Sequence, residues 1–181
     1  MAPRSLALCV ADVRAIVDYN RAVFDRYARR IRRLSRSAAT RPRGIGHESL
    51  FATLVHILNV QEVWYVYIVR GRTSDRELDA LFDDPTRRPR DWTAFDAYAR
   101  RVWAGIDATV ARLTPTGLGR RVSVFWMRGT YTVRDAVLQT TLEQAHHLGE
   151  IIGALRQDGI EPPSMTWIDV RRDAGRRARR R

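Results

Sequence analysis

Three residues in this chain have the types and spacing of a metal centre. Glu143 and His147 lie four apart in the run Glu143-Gln144-Ala145-His146-His147, so a helix puts both on one face. His56 lies in an earlier apolar segment, Leu54-Val55-His56-Ile57-Leu58-Asn59, that also reads as helix. If the two helices pack side by side, two imidazoles and a carboxylate meet. Three such ligands hold a divalent cation and leave a coordination position open, the arrangement of a catalytic rather than a structural site. The same residues also allow a plainer arrangement, with Glu143 and His147 as an i,i+4 pair and His56 as a hydrogen-bonded core residue. Two further histidines fall outside the expected set. His146 is rotated about 100° from His147 around the helix and is assigned to the surface or to a supporting role. His47, read as the first residue of the helix that carries His56, stands nine residues away, or about 13 Å of helical rise, too far to share an ion.

These residues depend on the helices that carry them. From about Ala11 to Leu34, apolar residues Val13, Ile16, Val17, Val23, Phe24, Tyr27 and Ile31 recur at intervals of three and four. A second helix is expected from about His47 to Val69. It is apolar nearly all round, which marks it as the central, most buried one. Its end is rich in β-branched residues, so a strand is possible there; the continuous register back to Leu50 favours helix. A polar stretch from Arg72 to Arg90 follows, with one short helical turn around Glu77–Phe82. The third helix starts after Asp91, a good N-cap, and runs to about Leu113. Val122–Trp126 alternates like a strand, Gly129 can turn it, and Thr130–Val133 can return, giving a small hairpin. The fourth helix spans about Val133 to Gln157, with Val133, Val137, Thr140, Ile151 and Leu155 inward, and Gly159 closes it. The expected fold is all-α: a four-helix bundle with a small β-hairpin before the last helix.

Composition sets further bounds. The 181 residues fit a single domain, assigned to 1–169. No apolar run reaches the roughly 20 residues of a membrane helix. The apolar stretch Leu6–Ala11 is too short for a secretory signal and is followed at once by Asp12 and Arg14, so a cytoplasmic location is expected. The lone cysteine, Cys9, excludes an internal disulfide and a thiolate zinc cluster, and reads as a small core residue. All 32 basic residues are arginine, and the formal charge is +12. Residues 171–181 hold seven of these arginines and one aspartate. Without them, 25 arginines face 19 acids and the charge falls to +6. Residues 170–181 are read as a disordered tail whose contacts with nucleic acid would be nonspecific, through phosphates. Trp64, Trp103 and Phe51 are assigned to the core. Trp126 is weighed between packing and the mouth of a pocket.

The ordered set of motifs resembles the DinB/YfiT-like superfamily of four-helix-bundle proteins over about residues 10–169. The matching segments are Tyr19-Asn20-Arg21, His56-Ile57-Leu58-Asn59 through Trp64, His146-His147-Leu148-Gly149-Glu150-Ile151 through Gly159, and Pro162-Pro163. The resemblance implies a metal, zinc or nickel, on one histidine of the second helix and two spaced by four on the last. Carried over, these positions are His56, Glu143 and His147. Glu143 stands where histidine is common, and Leu148 where an arginine usually follows. Two histidines and a carboxylate suit zinc and also iron(II). The resemblance further implies homodimers and thiol S-transferase-type enzymes, in which a metal activates a low-molecular-weight thiol toward a small electrophilic substrate. The alternative is a non-catalytic metal-binding bundle, or one that has kept the fold and lost the ion.

Overall fold

The computed structural model describes residues 8–71 and 74–178. Helix α1, Val10–Arg32, buries the face predicted from its spacing: Val13, Val17, Val23, Phe24, Tyr27 and Ile31, with Asn20 among them. Cys9 is exposed rather than in the core. It immediately precedes the helix, and its backbone N–H donates to Asp12 Oδ2 at 2.8 Å, which satisfies one of the amides a helix start leaves open. The loop that follows contains a short helix, α2, Arg36–Thr40, capped by Ser35.

Helix α3, Leu50–Gln61, continues as a π-helical segment over Glu62–Val69. The β-branched and aromatic run Val63–Val69 therefore stays helical, with a wider turn, and does not form a strand. The helix starts three residues later than its apolar pattern suggests. Ser49 has extended backbone, φ −135°, and its Oγ accepts from the Ala52 N–H at 3.2 Å. This is an N-cap, so His47 lies outside the helix. Leu50, Leu54, Ile57 and Leu58 are at most 1% exposed, and each such side chain contributes about 1.5–3 kcal/mol relative to exposure.

Helix α4, Asp75–Asp83, opens with a Ser74/Glu77 capping box. A 3₁₀ turn, Pro85–Arg87, follows. Helix α5, Trp92–Val110, is capped by Asp91, whose Oδ1 accepts from the Ala94 N–H at 2.9 Å. After the short helix α6, Pro115–Leu118, strands β1, Arg121–Val124, and β2, Met127–Thr132, form an antiparallel hairpin. Val124 pairs with Met127, so the chain turns at Phe125-Trp126. The turn is not at Gly129, which lies within β2 with φ +103°. Helix α7, Val133–Gln157, buries all five residues of its predicted stripe. Gly159, φ +69°, follows it in the left-handed conformation that glycine adopts without cost.

Helix α8, Trp167–Ala178, differs from the expectation of a disordered tail from residue 170. Its first turns have anchors that arginine-rich composition hides. The Trp167 ring lies 5.0 Å from Tyr19, Val170 is 5% exposed, and Arg172 pairs with Asp169 at 3.1 Å. Arginine is itself a good helix former, so the helix can continue. Residues 179–181 lie outside the described residues.

The long helices α1, α3, α5 and α7 enclose a hydrophobic cluster, and α3 with its π segment touches the other three. A polar chain crosses it. Gln61 Nε2 donates to Gln144 Oε1 at 2.9 Å, and Gln144 Nε2 donates to the Asn20 carbonyl at 2.9 Å. These buried bonds fix the rotation of α7 against α1 and α3, and with it the direction of its neighbours Glu143 and His147. Among the described residues, no helix is long and apolar enough to cross a membrane.

Candidate metal centre

His56 sits in the middle of α3, and His147 lies on α7, where the two helices pack. Their ring centroids are 4.5 Å apart with planes at 80°. The meeting of the two imidazoles, expected from helix adjacency, therefore occurs. Glu143, one turn before His147, places Oε2 at 3.6 Å from His147 Nε2. Its other oxygen, Oε1, accepts from Gln139 Nε2 at 2.7 Å.

The remaining bond of His147 determines how it faces the site. Nδ1 lies 2.9 Å from Glu150 Oε2. Burial pushes the Glu150 carboxyl up. The hydrogen bond from His147, the charges of His147 and His146 and the Gly46 amide outweigh it and hold the carboxyl below its ordinary range. An ionised carboxylate only accepts, so Nδ1 donates to it, and Nε2, 3.6 Å from Glu143, is the nitrogen left to bind a metal in place of a proton. A carboxylate behind the imidazole is the usual support of a metal-ligating histidine. His56 is kept neutral: burial, reinforced by His47 and His147, pushes its imidazole down to about 3. Neutral imidazole is the form that binds metal.

His47 also belongs to this cluster. Its ring stacks on His56 with centroids 3.5 Å apart and planes at 19°, and lies 5.2 Å from His147. The 13 Å separation assumed a helix reaching back to residue 47. The Ser49 cap ends that helix, and Glu48 turns the chain with φ +65°, a left-handed conformation that costs an L-residue about 1–2 kcal/mol. One ligand atom from each of His47, His56 and His147 falls within 4.8 Å of the others. A second such set is His146, His147 and Glu150. Glu143 belongs to neither, and stands beside His147 at the edge of the first. The His146 side chain is 68% exposed, in keeping with a surface role, with Nε2 3.8 Å from Glu150.

The donor chemistry fits a divalent ion. Imidazole nitrogens and a carboxylate suit a borderline-soft cation, and the Glu150 bond to Nδ1 leaves Nε2 of His147 available to one. His56 and Glu143 also line a cavity of about 500 Å³. Trp64, Trp126, Val63 and Met127 form part of its apolar wall, and Asn59 and Gln139 add polar groups. Trp126 is 40% exposed and meets Trp64 edge to face at 6.2 Å, so it lies at the cavity rim. Trp64, Trp103 and Phe51 are buried in the core.

A buried ion pair holds the polar segment after α3 over this cavity. Arg87 Nε donates to Glu62 Oε2 at 2.8 Å, and its other nitrogens donate to the carbonyls of Leu81 and Asn59. Tyr98 completes the network through Glu62 Oε2 and Asn59 Oδ1. Sequence reasoning gave none of these residues a function. Glu150 lay inside a recognised motif without a role, and Gly46 in a loop; a Ser49 N-cap preceded by glycines was the available sign that His47 turns back.

A family model described as DinB superfamily matches residues 19–151. The chain belongs to the DinB superfamily, and its histidine-rich group could hold a metal ion. Comparison with curated proteins found no match.

Proposed function

We propose that this protein binds a divalent metal through a set that includes His56, Glu143 and His147, and uses it to activate a low-molecular-weight thiol for transfer to a small electrophile. The observation that carries this reading is the position of His56 and Glu143. They line the cavity, next to a His147 whose ring is held at Nδ1 by Glu150. A ligand in the cavity would thus reach the metal-binding groups directly. Zinc or nickel is the proposed ion, with iron(II) the next choice for a histidine–carboxylate set. When bound, such an ion supplies a Lewis acid that lowers the pKa of a coordinated thiol.

The chain's own residues carry the rest. Gln139 holds Glu143 by one oxygen and leaves the other toward His147. The apolar wall at Trp64 and Trp126 excludes water from one side of the cavity and suits an apolar acceptor. Asn59 and Gln139 can orient its polar end. The test is a zinc- or nickel-loaded protein assayed with glutathione, mycothiol or bacillithiol and a panel of small electrophiles. Thiol consumption that requires the metal and disappears in His56→Ala supports the proposal. A metal-loaded protein that neither binds nor consumes any of the thiols overturns it.

A further inference from the structure

We propose that His47, from the loop before α3, is an additional protein ligand of the metal, beside His56 and His147. The inference rests on the metal-binding reading above and extends it to a residue outside the helices. Three independent observations converge. His47, His56 and His147 are the tightest set of imidazoles in the described structure, with one ligand atom from each within 4.8 Å of the others. Glu143, the residue that helical spacing selects, is not part of that set.

The second observation is that the loop is built to deliver His47. The Arg43 N–H donates to the Glu48 carbonyl at 2.7 Å, and the Glu48 N–H donates to the Ile45 carbonyl at 2.6 Å. The Arg43 side chain is 5% exposed and pairs with Asp158 at 2.7 Å, just beyond the end of α7. Glu48 takes a left-handed conformation that its own side chain does not favour, and this turn brings His47 back over His56.

The third is the coupling of this loop to the support of His147. A Cβ at Gly46 would lie 2.6 Å from Glu150 Oε1, so only glycine lets the loop approach that carboxylate undisturbed. Glu150 thus contacts His147 on one side and the residue preceding His47 on the other. One carboxylate aligns both imidazole-bearing segments on a common point. Helix-borne ligands alone would not need this loop geometry.

The test uses full-length protein stripped of metal and titrated with Zn²⁺ in competition with a chromophoric chelator. X-ray absorption of the Zn²⁺-loaded protein counts imidazoles. His47→Ala and His47→Gln are compared with wild type and with His56→Ala, and circular dichroism confirms folding. The expected result is a loss of Zn²⁺ affinity of about 100-fold or more in both His47 variants, at or beyond the upper end of second-shell effects. The imidazole count falls from three to two. Wild-type affinity with an unchanged count in a folded His47 variant overturns this inference while leaving the metal site standing, provided His56→Ala loses the ion. Failure of the wild type itself to bind Zn²⁺, Co²⁺ or Ni²⁺ overturns both.

Discussion

His147 Nδ1 and Glu150 Oε2 are 2.9 Å apart on successive turns of α7. This bond engages Nδ1 and leaves Nε2 as the nitrogen available to a metal. Glu150→Gln keeps the shape of the side chain and removes its charge. It is expected to weaken metal binding by about 10–100-fold without unfolding the protein. Chelator competition with circular dichroism checks it. Unchanged affinity would mean that Glu150 serves packing alone.

Gly46→Ala tests the same carboxylate from the other side. The added methyl would meet Glu150 Oε1 at 2.6 Å, and the flexible carboxylate must move away. Metal affinity should fall, while the thermal midpoint changes little because the displaced group is the end of a side chain. A large drop in midpoint with intact affinity would locate the function of Gly46 in the loop backbone instead.

Arg87 and Glu62 are an ion pair with side chains 4% and 6% exposed. Arg87→Met removes the close partner and leaves the buried carboxylate with Tyr98 and the half-exposed Arg101, 3.7 Å from its other oxygen. A loss of about 3–5 kcal/mol is expected from urea unfolding. The double variant Arg87→Met, Glu62→Gln should recover part of it, because the poorly compensated buried charge is gone.

The histidine cluster predicts an acid-sensitive metal-free protein. His56 titrates at about 3 in the folded chain against 6.5 when unfolded, so below 6.5 the unfolded state binds the proton more readily. Glu150, also held low, adds to the trend below its ordinary range. Stability should be level above about pH 6.5 and decline steadily as the pH falls toward 3. Urea midpoints across that range measure it, and His56→Asn should flatten the upper part of the decline.

Much of this was legible in the sequence because helical periodicity is strong in α1, α5 and α7. The inward stripe Val133–Leu155 and the meeting of His56 with His147 follow from spacing and helix adjacency. What was not legible depended on local backbone. Apolar periodicity does not show that a serine cap stops α3 at Leu50, nor that Glu48 adopts a left-handed turn, so helical rise puts His47 about 13 Å from the residue on which it stacks. Glycine is the common turn residue and points to Gly129, whereas cross-strand pairing puts the hairpin turn at Phe125-Trp126. The charge of the last segment conceals the Trp167 and Val170 anchors of α8. Glu143 remains the position where spacing and proximity diverge: it shares the α7 face with His147 but lies outside the tightest imidazole set.

The most direct test of the metal centre is elemental analysis of untagged wild-type protein beside His56→Ala, each confirmed as folded. Near-stoichiometric zinc, nickel or iron in the wild type, and its loss in the variant, is the predicted result. Wild type and variant both free of metal, even after reconstitution, would contradict it and leave the histidines as a buried polar cluster of a DinB bundle.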